Sequence, residues 1–177
     1  MHIEIFGVKK ILNILDRQSP GVENLISVRD SLKEDDSANQ LYAALDRRIR
    51  RHGINAKVIA FADVDRYRWG QGLEHPVVMK NLAEGEEPIF FTVEMAKDIM
   101  RWVHPLWEAN HDVHIAIHCW AGRSRSQAIG YYLNTHYNLV LNRDIGSWNE
   151  NNIANLSDKV HFNCDVLRIM TQASLPC

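Results

Sequence analysis

Apolar positions recur with a period of two in several short runs and with a period near 3.6 in the stretches between them, the spacing of strands alternating with helices. Ile3 and Ile5 open the first run, and residues 9–16 have helical spacing through Ile11, Leu12 and Leu15. Ser19-Pro20-Gly21 is a turn. Residues 24–28 read as a short buried strand that ends at Arg29-Asp30, a pair expected to be solvated. Ser37 and Gln40 form a capping box ahead of a helix with Leu41, Ala44, Leu45 and Ile49 on one face. Arg47, Arg48, Arg50 and Arg51 close that helix before Gly53, where they are expected to complement its C-terminus and solvate the outer face. A buried strand is predicted over residues 57–62, a polar turn over 84–88, and a helix from Thr92. That helix puts Met95, Ala96, Ile99, Met100, Val103 and Leu106 on its core side and ends near His104-Pro105 or just beyond, with Trp107 packing underneath. A buried strand over 113–117, a helix over 127–133, and further helices over 142–152 and 160–170 complete the reading.

Strands alternating with helices predict an α/β fold, with a central, mostly parallel sheet flanked by helices on both faces and a site beyond the carboxyl ends of the strands. The 177 residues suit one domain, 1–177, with a substantial core. With 46% hydrophobic and 24% charged residues the chain has an ordinary globular composition, which argues against disorder. A net charge of -2 gives no pull toward nucleic acid or anionic membrane, so neither is expected as a partner. No apolar run approaches the roughly 20 residues of a membrane span, and the first residues lack the pattern of a signal peptide. Cys119, Cys164 and Cys177 make no full disulfide framework, so a reducing, cytoplasmic setting is expected, with Cys164 as a buried thiol. The histidines show no metal spacing; His111 and His114 face opposite sides of an extended segment. No metal and no cofactor are expected.

One stretch carries chemistry. His118-Cys119-Trp120-Ala121-Gly122-Arg123-Ser124-Arg125-Ser126 lies between a predicted strand and a predicted helix. A tight loop entering a helix leaves backbone N–H groups without intrahelical partners, and the positive end of the helix dipole adds to them, so the cavity suits an oxyanion such as phosphate. Gly122 lets the backbone curl closely, and Arg125 offers a planar fork of donors to two phosphate oxygens. A thiolate at Cys119, aimed at a bound phosphorus, is a nucleophile in place.

These residues resemble the His-Cys-x5-Arg-Ser signature of the cysteine-dependent protein tyrosine phosphatases, and among them the compact dual-specificity-like bacterial and phage forms. The resemblance covers roughly residues 55–172 and implies a phosphocysteine intermediate on Cys119. It also implies a phosphoryl group held by Arg125 and by the loop residues Trp120, Ala121, Gly122, Arg123 and Ser124. Ser126 would help the thiolate leave, and His118 would support the loop by hydrogen bonds. Arg123 stays open between a second cation at the rim and a solvent-facing charge. The general acid falls on Asp63, the first residue after the apolar run 57–62, with Asp65 as its competitor. Residues 66–91, aromatic and basic at Arg66-Tyr67-Arg68-Trp69, read as a flap carrying the acid, as a wall that binds the phosphorylated partner, or as a surface loop. Asn163 matches a proline–asparagine pair that opens the relatives' closing helix, with Phe162 in place of the proline.

The implied activity is hydrolysis of phosphate monoesters, phosphotyrosine on proteins first and phosphoserine or phosphothreonine as well. The partner is then a phosphorylated protein or another phosphomonoester. The same chemistry on a phosphoinositide or an RNA 5′ end, and a phosphopeptide-binding pseudophosphatase, remain as alternatives. A rhodanese-like loop is one residue shorter and would put the arginine at Ser124, which argues against a sulfurtransferase.

Overall fold

The computed structural model describes residues 1–30, 36–64, 87–140 and 163–173, and of residues 36, 139 and 140 the backbone alone. Four parallel strands, β1 (His2–Gly7), β2 (Asn24–Arg29), β3 (Asn55–Ala60) and β4 (His114–Cys119), form one sheet in the order β1-β4-β2-β3. Among the described residues five helices accompany them: α1 (Val8–Leu15), α2 (Asp36–His52), α3 (Val93–Ala109), α4 (Arg125–Val140) and α5 (Cys164–Gln172). The α/β expectation, a parallel sheet covered on both faces, holds.

Alternation along the central strands divides the core into two layers. Ala116 of β4 and Leu25 of β2 face α1 and α2, where they pack with Ile11, Leu15, Tyr42 and Leu45. Ile115, Ile117 and Cys119 of β4, with Ile26 and Val28 of β2, face Ile99, Val103, Ile129, Leu133 and Val166 of α3, α4 and α5. Successive side chains of a strand point to opposite faces, so a strand buried on both sides reads as a nearly continuous apolar run. This is why β2 and β4 were legible.

Several local readings are confirmed and several are revised. Thr92 caps α3 by accepting the Met95 N–H at 3.2 Å. Pro105 sits inside that helix, which continues to Ala109. Gly53, at φ 62°, ends α2, and the Ile54 N–H returns to the Ile49 carbonyl at 3.0 Å. Arg48 pairs with Asp16 of the neighbouring helix end, at 2.7 and 2.8 Å. The helix starts at Asp36, so Ser37 lies within its first turn instead of capping it. Among the described residues the predicted buried strand over 57–62 is an edge strand: β3 has a single neighbour there, β2, and within it only Ile59 is buried, although Phe61 and Ala62 just beyond are fully covered. Cys164, expected to be buried, is exposed at the first position of α5, because Asp165 and Val166 take the inward positions of that turn. Asp65, the predicted helix over 142–152, Phe162, Cys177 and most of residues 66–91 lie outside the described residues. No helix among the described residues is long and apolar enough to cross a membrane.

Candidate active site

Residues 119–125 link the carboxyl end of β4, flanked by β1 and β2, to the start of α4. Gly122 adopts φ 71°, a left-handed conformation that favours glycine, and it lies against the β1–α1 turn. A Cβ there would come within 2.6 Å of the Phe6 carbonyl carbon and 2.7 Å of the Gly7 nitrogen. The Val8 N–H donates to the Trp120 carbonyl at 3.0 Å, and Gln127 Nε2 donates to the Gly122 carbonyl at 3.1 Å. The loop is thus fixed by the backbone of the first strand and by the helix it enters.

Cys119 Sγ is buried at the bottom of this loop. It accepts the Gly122 N–H at 3.2 Å and shares a hydrogen bond with Ser126 Oγ at 3.1 Å. Both partners can stabilise negative charge on sulfur. His118, one residue earlier, is fully buried, with Nε2 2.8 Å from Ser27 Oγ. Burial lowers its pKa to about 4, assisted by the nearby charges of Arg29 and Arg125 and opposed by a hydrogen bond with the Cys119 backbone. It is therefore neutral at pH 7.

Arg125 is 2% exposed, which is exceptional for a guanidinium and requires partners. Nη1 donates to the carbonyl of Arg29 at 3.0 Å and to that of Phe61 at 2.6 Å, tying α4 to the ends of β2 and β3. Nη2 reaches Asp30 Oδ2 at 3.4 Å. Nε stands 3.7 Å from Asp63 Oδ2 and finds no hydrogen-bond partner among the described residues. One edge of the fork is thus anchored, while the other faces two carboxylates at long range.

Asp63 lies beside the loop. Its Oδ1 accepts Ser124 Oγ–H at 2.7 Å and Asn163 Nδ2–H at 3.1 Å. Asn163 also caps α5, accepting the Val166 N–H at 3.1 Å, and donates to the Val64 carbonyl at 3.3 Å. One buried amide therefore fixes the segment at Asp63 and Val64 to the N-terminus of α5. Arg123 and Ala121 are exposed at the rim. The structure brings Cys119, Arg125, Ser124, Ser126, His118 and Asp63 together. It adds Asp30 and Asn163, the first read as a solvated strand end and the second known only as part of a partial motif. Their signal was position: each sits at an element boundary, where strand ends and helix caps gather around a site. No group of three metal-ligating side chains occurs among the described residues.

No protein-family model matches the sequence, and no curated protein matches it. Among solved structures the chain is similar to that of "Tk-PTP in the active form", with a TM-score of 0.50 and 10% identity over 97% of this chain and 88% of that one. It is similar also to PTPMT1, with a TM-score of 0.51 and 14% identity over 97% of this chain and 88% of that one. Identities this low speak for the fold, which agrees with the architecture and with the Cys-x5-Arg loop at the carboxyl ends of its strands. The chain shares the fold of these two structures.

Proposed function

We propose that the chain hydrolyses phosphate monoesters, phosphotyrosine on proteins first and phosphoserine or phosphothreonine as well, through a phosphocysteine intermediate. The observation that carries this reading is Arg125. A buried guanidinium whose Nε makes no hydrogen bond among the described residues, on the same loop as a hydrogen-bonded cysteine sulfur, is a site prepared for an oxyanion.

In the first step the Cys119 thiolate attacks phosphorus. The P–S bond forms as the ester P–O bond breaks, and the Asp63 carboxyl gives its proton to the departing oxygen. In the second, water attacks phosphorus while Asp63 takes one of its protons. The P–S bond breaks, Ser126 donates a hydrogen bond to the leaving thiolate, and inorganic phosphate departs. Arg125 and the loop N–H groups hold the equatorial oxygens throughout. The contacts of Asp63 with Ser124 and Asn163 support its role as the acid.

The test is turnover of an aryl phosphate. Cys119→Ser is expected to lose roughly 10⁴-fold or more in kcat, since the nucleophile is removed; full activity in that variant ends the proposal. Asp63→Ala is expected to lose about 10²- to 10⁴-fold. A larger loss in Asp65→Ala than in Asp63→Ala moves the acid to Asp65.

A further inference from the structure

Trp120 follows the nucleophile directly and is 42% exposed, a large apolar residue facing solvent from the phosphate loop itself. Its position is braced from several sides. Its carbonyl is held by the Val8 N–H, and its ring meets that of Tyr42 edge-on, with centroids 6.3 Å apart and planes at 64°. Tyr42 is buried in the α1–α2 layer and has the Arg29 guanidinium 5.2 Å from its ring centre. Asp46 pairs with that guanidinium, and the Arg29 carbonyl in turn accepts from Arg125 Nη1. A wall of indole, phenol and guanidinium therefore runs from the residue beside Cys119 to the residue that anchors Arg125. The other lip, made by Asp63, Ser124 and Asn163, is polar and is backed by α5.

An aromatic face at the mouth of a phosphate site favours a flat apolar group attached to the phosphate, because stacking recovers the apolar surface both partners expose to water. We infer that Trp120 is a specificity-determining residue. Its indole stacks on the ring of an aryl phosphate ester as the phosphoryl group enters the loop, and so favours aryl esters, phosphotyrosine in kind, over alkyl esters. The inference rests on the phosphatase reading above and narrows its substrate class.

The measurement is the ratio of kcat/KM for phosphotyrosine to that for phosphoserine in wild type, Trp120→Ala and Trp120→Phe. Trp120→Ala lowers the ratio by roughly three- to tenfold, mostly through KM for the aryl ester, and Trp120→Phe restores most of it. An unchanged ratio in Trp120→Ala, with losses shared equally by both esters, overturns the inference and leaves the indole a structural part of the loop. If the wild type cleaves neither ester, the phosphatase reading fails. The platform is then judged by binding of phenylphosphonate against methylphosphonate in titration calorimetry. A phenyl preference lost in Trp120→Ala sustains it, and equal binding of the two overturns it.

Discussion

On the nucleophile side of the loop, the contacts to sulfur come from Gly122 and Ser126, three and seven residues from Cys119. On the acid side, the contacts to Asp63 come from Ser124 and Asn163, 61 and 100 positions away. The first half of the site is encoded by one contiguous strand–loop–helix unit. The second exists only after β3, α4 and α5 have met. The Cys119 half can therefore persist while Asp63 is displaced, and three measurements probe that asymmetry.

The largest effect is expected at Gly122, where the local half meets the rest of the fold. Gly122→Ala meets both the strain of a left-handed φ and the Phe6–Gly7 backbone, for a cost of about 2–5 kcal/mol in urea unfolding and loss of detectable turnover. Normal activity would mean the loop tolerates a different backbone and is less fixed than described.

His118 comes next, since it belongs to the local half yet bonds to Ser27. Its folded pKa of about 4 lies below the ordinary value near 6.5. Between these values the unfolded chain binds a proton that the native state does not, so stability rises with pH through this window. It is fully present above about 6.5, and it is lost as pH falls toward 4. The contribution is on the order of 3 kcal/mol, and the urea midpoint of wild type relative to His118→Gln across this range reads it. Parallel pH profiles in the two proteins would remove the buried-histidine explanation.

Asn163→Ala gives the smallest effect and sharpens the comparison most. Loss of one amide to Asp63 is expected to lower kcat roughly tenfold, the size of one hydrogen bond to a charged group, while the alkylation rate of Cys119 by iodoacetate stays at the wild-type value. A matching fall in the alkylation rate would show that the two halves are not independent.

The same asymmetry explains what could be read from the chain in advance. The loop was legible because Cys119, Gly122, Arg125 and Ser126 carry their geometry in adjacent positions. β2, β4 and α3 were legible because burial on one or both faces leaves a periodic trace. That β3 is an edge strand was not legible, because an apolar run does not record how many neighbours a strand has. Asp30 was misread for a related reason: its partner is a guanidinium 95 positions away, and a charged strand end looks the same whether it meets water or Arg125. Cys164 was placed inside on residue type alone, and the phase of α5 turned it outward. Tyr42, a buried anchor of the α1–α2 layer, is hidden in the sequence because the apolar period of its helix runs through aliphatic neighbours.

The close seating of Gly122 against Phe6 and Gly7 has a kinetic consequence. The loop takes its final shape only when β1 has paired with β4, from Gly7 opposite Cys119 back to His2 opposite His114. Pairing of segments so distant in sequence closes the longest loop in the sheet, and non-local contacts of this kind form slowly. Helical structure should therefore return early on dilution from denaturant. Affinity for phosphate should return last, as the reporter of a completed sheet.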